Sequence, residues 1–242
     1  MLKYIDIHCH LQNASDPEFV LNDVEKVGVV CCVCNSTNET DWVKLIDLSK
    51  NYSAIKCAFG IHPWDLKDLK EGWRQRLTEV LKQNSDFMVG EIGLDKYKPD
   101  IDLQEKVFCT QLDVATSLKR TVHIHCVGAW DKMLHILKEC RKKLPPKLIF
   151  HSYNGGVEFM ERLLDLCDAY FSYSPLVFEE GYKKIKESAV ATPLDRILIE
   201  SDGEKIEEVI KVAERLAEMR DAEKSDFIMQ VYENSKRVLA NG

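Results

Sequence analysis

Ile5-Asp6-Ile7-His8-Cys9-His10 is the stretch from which the rest of the chain can be ordered. The run reads as a strand, in which alternate side chains share a face. On that reading His8 and His10 project together, with Asp6 one step behind. Imidazole is a common neutral metal ligand, so the pair makes half of a divalent-metal site. With seven histidines in 242 residues, a His-x-His pair is weak by itself. Its weight comes from the pattern that follows it.

Seven more apolar runs come after the first, Lys3–Ile7. They are Val27–Val33, Ala54–Gly60, Phe87–Glu91, Val122–His125, Lys147–His151, Ala169–Tyr173 and Arg196–Glu200. All are rich in Val, Ile, Phe and Cys without clean alternation, as strands buried on both faces should be. Between them lie stretches of helical periodicity. Asp16-Pro17-Glu18 places an N-cap before a proline at the first helical position. Thr37–Ser49, Leu66–Lys82, Leu103–Leu118, Trp130–Lys142, Val157–Cys167, Glu179–Ala189 and Glu204–Met219 follow, and Pro145-Pro146 separates one helix from the next strand. Asp226–Leu239 reads as an extra terminal helix. Eight strand–helix units predict an α/β fold, a (β/α)8 barrel of the TIM type in one domain spanning residues 1–242, in preference to an open doubly wound sheet.

Composition narrows the partners. Net charge is −7, so a broad basic face for coating nucleic acid is not expected, and a polyanionic substrate must be caught locally by metals and a few basic side chains. No run reaches the roughly 18 apolar residues of a membrane helix, and no basic, apolar leader is seen. Nine cysteines, an odd number, read as free thiols in a reducing compartment; the expectation is cytoplasmic, with nuclear entry open. Cys31, Cys32 and Cys34 read as small packed strand residues rather than a structural zinc site.

A barrel predicts catalytic groups at the C-terminal ends of its strands. His8 and His10 close the first run, His62 follows the third, Glu91 closes the fourth, His125 the fifth, His151 the sixth, and Asp202 follows the eighth. Histidines and carboxylates in this number suit two divalent ions bridged by a carboxylate. Such a pair lowers the pKa of water toward 7 and clamps both oxygens of a displacement, while a carboxylate takes the proton. Spacing alone does not separate His62 from the ligands.

Asp6-x-His8-x-His10, Gly60-Ile61-His62-Pro63, Gly90-Glu91-Ile92-Gly93-Leu94-Asp95, Ile124-His125, His151-Ser152-Tyr153 and Glu200-Ser201-Asp202 resemble the TatD family of metal-dependent deoxyribonucleases, within the wider amidohydrolase group of barrels. Gln104-x-x-x-Phe108-x-x-Gln111-Leu112-x-x-Ala115 and Asn234-Ser235-Lys236-Arg237-Val238 extend the resemblance over residues 4 to 239. It implies a somewhat distorted barrel that cleaves phosphodiesters, trimming DNA from single-stranded or 3′ ends with two divalent ions. His8 and His10 would hold one ion, His125 and His151 the other, and Glu91 would bridge them. Asp202 would contact the first ion and activate water, and His62 would touch the scissile phosphate. Zinc, manganese or magnesium suits such nitrogen and oxygen donors, and neither a membrane nor an obligate protein partner is implied.

The chain departs from the family pattern in places. Arg120-Thr121 stand where the family has proline, and Lys98 where it tends to have arginine. Cys126-Val127-Gly128 replaces Ser-Arg-Asp, which removes a candidate phosphate clamp, and Gly203-Glu204 replaces Ala-Pro beside Asp202. These changes keep open a metal-dependent hydrolase of a small ester, amide or phosphoester, and, from a different class, a non-catalytic barrel scaffold. The polymerase-and-histidinol-phosphatase type of phosphoesterase also begins with His-x-His, but the Gly90–Asp95 block decides against it. Asp6 is expected to support the site rather than ligate, His123 to pack in the core, and His135 to be solvated. Asp95, Lys96 and Lys98 read as a solvated loop. Trp64 and Tyr153 could stack on a base or pack the rim.

Overall fold

The computed structural model describes residues 1–240. Strands form where the apolar runs lie: β1 (Tyr4–Cys9), β2 (Val29–Asn35), β3 (Ile55–Phe59), β4 (Met88–Asp95), β5 (Val122–Val127), β6 (Leu148–Phe150), β7 (Ala169–Tyr173) and β8 (Ile197–Ile199). Each pairs in parallel with the next, in the order β1 to β8. The helices are α1 (Pro17–Lys26), α2 (Glu39–Asn51), α3 (Trp73–Gln83), α4 (Ile101–Leu118), α5 (Trp130–Glu139), α6 (Val157–Leu166), α7 (Lys183–Ala191), α8 (Glu208–Met219) and α9 (Lys224–Leu239). Asp16 caps α1 by accepting from the Phe19 backbone N–H at 2.9 Å, and Pro17 begins it. The Leu66–Lys82 run does not form one helix: a 3₁₀ turn at Leu66–Asp68 precedes α3, with a break at Gly72.

The barrel is nearly closed. β1 and β8 share no ladder among the described residues, and their seam is held by local bonds. The Asp202 N–H donates to the His8 carbonyl at 3.0 Å, and the His10 N–H to the Gly203 carbonyl at 2.9 Å. Asp6 Oδ1 accepts from the backbone N–H of Ser201 at 3.0 Å and of His8 at 3.2 Å. At the opposite end α9 acts as a plug. Its Val238 packs with Ile5, Val33, Ala58, Met88, Ile149, Tyr170 and Leu198 in the barrel interior. A larger apolar layer, including Phe59, Phe150, Phe171, Leu112 and Leu216, joins the outer strand faces to the helices.

Two strands carry an extra residue at the site. Asp6 and Cys9 pair with Cys32 and Cys34, so three steps on β1 match two on β2. Val89 and Ile92 pair with Val122 and Ile124, the same slip between β4 and β5. The first bulge interrupts the alternation between Asp6 and Cys9, the second that between Val89 and Ile92, and each re-aims a side chain beside the mouth, as bulges do. β4 also runs past Glu91 to Asp95, so Glu91 lies within the strand rather than closing it. The extension needs a close approach: a Cβ on Gly93 would sit 1.8 Å from the His125 carbonyl oxygen. All nine cysteines are free thiols. No helix is long and apolar enough to cross a membrane among the described residues.

Candidate metal centre

Glu91 is the hub of the cluster. It is buried, and its two oxygens sort the histidines around it. Oε2 faces His8 Nε2 at 3.3 Å and His10 Nε2 at 3.5 Å. Oε1 faces His151 Nε2 at 2.6 Å, His125 Nδ1 at 2.9 Å and His62 Nε2 at 3.1 Å. Asp202 stands at the open rim, its Oδ1 3.9 Å from His10 Nε2 and 4.0 Å from His151 Nδ1. The fold therefore brings all seven residues singled out in the sequence to one mouth of the barrel. Donor atoms of His8, His10 and Glu91, of His62, Glu91 and His125, and of His8, His151 and Asp202 form three triplets, each within 4.8 Å.

Hydrogen bonding on the far side of each ring says which nitrogen is free. His10 Nδ1 lies 3.0 Å from the Asn35 carbonyl oxygen, which takes a proton, so Nε2 keeps its lone pair toward Glu91. His62 is wired the other way. Its Nδ1 accepts the Trp64 backbone N–H at 3.2 Å, so the proton of the neutral ring sits on Nε2 and points at Glu91. As a neutral ring His62 is thus a hydrogen-bond donor at the mouth, a distinction that spacing could not make.

Carboxylates back two more rings. His151 turns Nδ1 to Glu200 Oε1 at 3.4 Å, and His125 turns Nε2 to Asp95 Oδ2 at 3.7 Å. Such outer partners set the orientation and basicity of metal-facing imidazoles. Glu200 is itself pinned, accepting from the Ser152 backbone N–H at 2.7 Å and from the Ser172 hydroxyl. Asp95 is not in a solvated loop: it is buried at the end of β4 and accepts from Trp64 Nε1 at 2.7 Å. The sequence reading missed both roles. Their signal was a second carboxylate beside each motif residue, in Gly-Leu-Asp and in Glu-Ser-Asp. The glutamines of α4 complete the frame. Gln104 brackets the Asp95 backbone at 2.8 and 3.1 Å, and Gln111 the Ile61 backbone at 2.7 and 3.0 Å.

Burial would raise the Glu91 carboxyl, but the rings around it, His151 foremost, hold it well below the usual carboxylate range. Burial, with His151 beside it, pushes His8 well below its ordinary value. His151 goes the other way: burial opposes its charge, yet Glu91 and then Glu200 hold it well above. Both nitrogens of His8 lack a hydrogen-bond partner, and its Nε2 is one of those that face Glu91. Orphaned ring nitrogens around a buried carboxylate suit a divalent cation in the gap. His123 lies beneath, fully buried, and burial pushes it down to about 3. Tyr153 packs in the core, His135 is exposed, and Trp64 lies at the rim.

An eight-stranded β/α barrel with this cluster at its C-terminal mouth is the build of a metal-dependent hydrolase. The chain belongs to the TatD family: residues 5–240 match the family described as TatD related DNase. It is similar to the metal-dependent hydrolase YabD of Bacillus subtilis, 28% identical, over 96% of this chain and 97% of that one. It is also 28% identical to a protein of Homo sapiens named 3'-5' RNA nuclease TATDN2, over 83% of this chain and 28% of that protein. Among solved structures, the TatD homologue YjjV of Escherichia coli superposes with a TM-score of 0.90 over 97% of each chain at 23% identity, which shows the fold.

Proposed function

We propose that this protein is a dinuclear metal-dependent phosphodiesterase that trims single-stranded DNA or 3′ ends. The observation that carries this reading is the division of Glu91: one oxygen faces His8 and His10, the other His125 and His151. A carboxylate so placed would serve two divalent ions, with His8 and His10 holding one and His125 and His151 the other. Two divalent ions bound there would supply a hydroxide nucleophile near neutral pH and offset charge on the phosphoryl oxygens.

The chain's own groups do the rest. Asp202 Oδ1, beside His10 at the open rim, takes the proton of the attacking water. His62 donates from Nε2 to a non-bridging phosphate oxygen, since its Nδ1 is occupied by the Trp64 N–H. Asp95 and Glu200 keep His125 and His151 turned inward. The name of the human relative points to the same bond type, so RNA belongs in the assay beside DNA.

A second reading, hydrolysis of a small uncharged ester or amide, is favoured by one observation. The cleft of about 650 Å³ beside Asp202 is lined by Glu179, Glu204 and Glu208 as well. A substrate panel with metal reconstitution decides between the two. On the phosphodiesterase reading the protein holds about two ions per chain, and Glu91→Gln abolishes cleavage with the fold intact by circular dichroism. Retained turnover by Glu91→Gln at wild-type metal content would sink the mechanism.

A further inference from the structure

The two sides of the metal mouth differ in charge and in what they display. On the β8 side the cleft carries Asp202, Glu179, Glu204 and Glu208 against a single lysine, Lys205. On the β3–β4 side stand Trp64, 55% exposed, and Tyr97, 78% exposed, with Lys96 and Lys98 in solvent. Other aromatics, such as Phe19, are as exposed, but these two stand beside the metal mouth with cations next to them, the pairing that makes a surface for unpaired bases.

Trp64 is also held in place. Its Nε1 donates to buried Asp95, Lys98 Nζ stands 4.1 Å over its ring, and its edge contacts place it 5.0 Å from His62 and 6.0 Å from His125 between ring centres. Tyr97 lies over Gly128, where a Cβ would come within 3.0 Å of the tyrosine ring. Gly128 has φ 64, a conformation other residues rarely adopt, so the β5 loop is shaped to let that ring rest on it. The same positions that lack an arginine after His125 thus make room for an aromatic and lysine-bearing loop.

We propose that the nucleic-acid strand leaves the metal centre over the β3–β4 rim, with an unpaired base stacked on Trp64 and the adjoining phosphates on Lys98 and Lys96. It avoids the β8 cleft beyond Asp202, where Glu179, Glu204 and Glu208 repel phosphate. Asp95 then has two tasks, orienting His125 and fixing the indole, which couples the stacked base to the metal side of the site. This rests on the phosphodiesterase reading for its substrate class, but not on catalysis for its test.

The test uses the metal-loaded full chain and a short phosphorothioate oligothymidylate that resists cleavage, compared with the same oligonucleotide carrying one abasic residue. Wild-type protein should bind the intact strand about tenfold more tightly than the abasic one, within the range of a single base–aromatic stack. Trp64→Ala should lose about that factor on the intact strand and no longer distinguish the two, while Trp64→Phe recovers part of the preference. Lys98→Gln should lower the slope of log affinity against log salt by about one. With cleavable substrate, Trp64→Ala should raise KM more than it lowers kcat. Equal binding of both strands by wild type, or no change on Trp64→Ala, overturns the platform. If wild type shows this base dependence but cuts no nucleic acid with any metal, the platform stands and the phosphodiesterase reading falls. If DNA is cut and Trp64→Ala behaves as wild type, the reverse holds.

Discussion

Replacing Glu200 separates what holds the barrel from what holds the metal. Glu200 is fully buried, accepts the Ser152 N–H at 2.7 Å and the Ser172 hydroxyl, and faces His151 Nδ1 at 3.4 Å. Glu200→Ala leaves the two closer donors without an acceptor. At about 1–3 kcal/mol for each orphaned buried group, with the serine hydroxyl free to turn, the metal-free protein should lose about 2–4 kcal/mol. Glu200→Gln keeps an oxygen for Ser152 and His151, so its stability should stay within about 1 kcal/mol of wild type. Its metal affinity should still fall. The contact with His151 Nδ1 at 3.4 Å loses its negative charge, and loss of an outer partner costs about 10–100-fold. We expect about tenfold for glutamine, at the lower end of that range, and more for alanine. Denaturant unfolding of the metal-free variants gives the first quantity, and competition with a chromogenic chelator the second. If Glu200→Ala is destabilised while both variants bind metal as tightly as wild type, Glu200 only braces the barrel, and the orientation of His151 has another cause.

Two further outcomes are expected. His62→Ala should keep the wild-type metal content and lose about a hundredfold in kcat, as removal of one transition-state donor does; a fall in bound metal, measured by elemental analysis, would make His62 a ligand after all. In the metal-free protein His151 keeps its proton above the ordinary histidine range, because Glu91 and Glu200 outweigh its burial. Metal must displace that proton, so apparent affinity should still be climbing as pH rises through about 7, rather than levelling off near the usual 6.5. Calorimetry in buffers of different ionisation enthalpy should record the release, and an affinity flat from about pH 6 to 8 would contradict it.

The eight strands and the seven mouth residues were legible because both rest on composition over several positions. Doubly buried strands announce themselves as apolar runs, and a barrel gathers strand ends whatever lies between them. What periodicity cannot see is a one-residue slip. The bulges at His8 and at Glu91 change which face a side chain meets, and nothing in the local apolar pattern marks them. The extension of β4 to Asp95 was hidden for a related reason: the apolar run reads as ending at Glu91, while Gly93 beyond it is what permits continued contact with β5. The direction in which each imidazole is protonated was out of reach as well. For His62 it depends on the backbone N–H of Trp64, and for His10 on a carbonyl of β2, far away in sequence.

The seam between β8 and β1 ties these threads together. Every other neighbouring pair of strands is knit by a ladder, which fixes the relative height of the residues at its upper end. Here the ladder is replaced by the Asp202 and His10 backbone bonds and by Asp6, whose single oxygen receives an N–H from each side. Asp6 is fully buried, so solvent does not compete for those bonds. Asp202, with φ 53, turns outward as soon as the seam ends. The carboxylate proposed to take the proton therefore hangs from a junction whose spacing is set by two backbone bonds and one buried side chain rather than by a ladder. That accounts for an acidic residue two positions before His8, at a place in a strand where an apolar one would pack better: on this account Asp6, bonded to the His8 backbone, sets the distance between Asp202 and the two histidines of β1, and so belongs to the same functional unit.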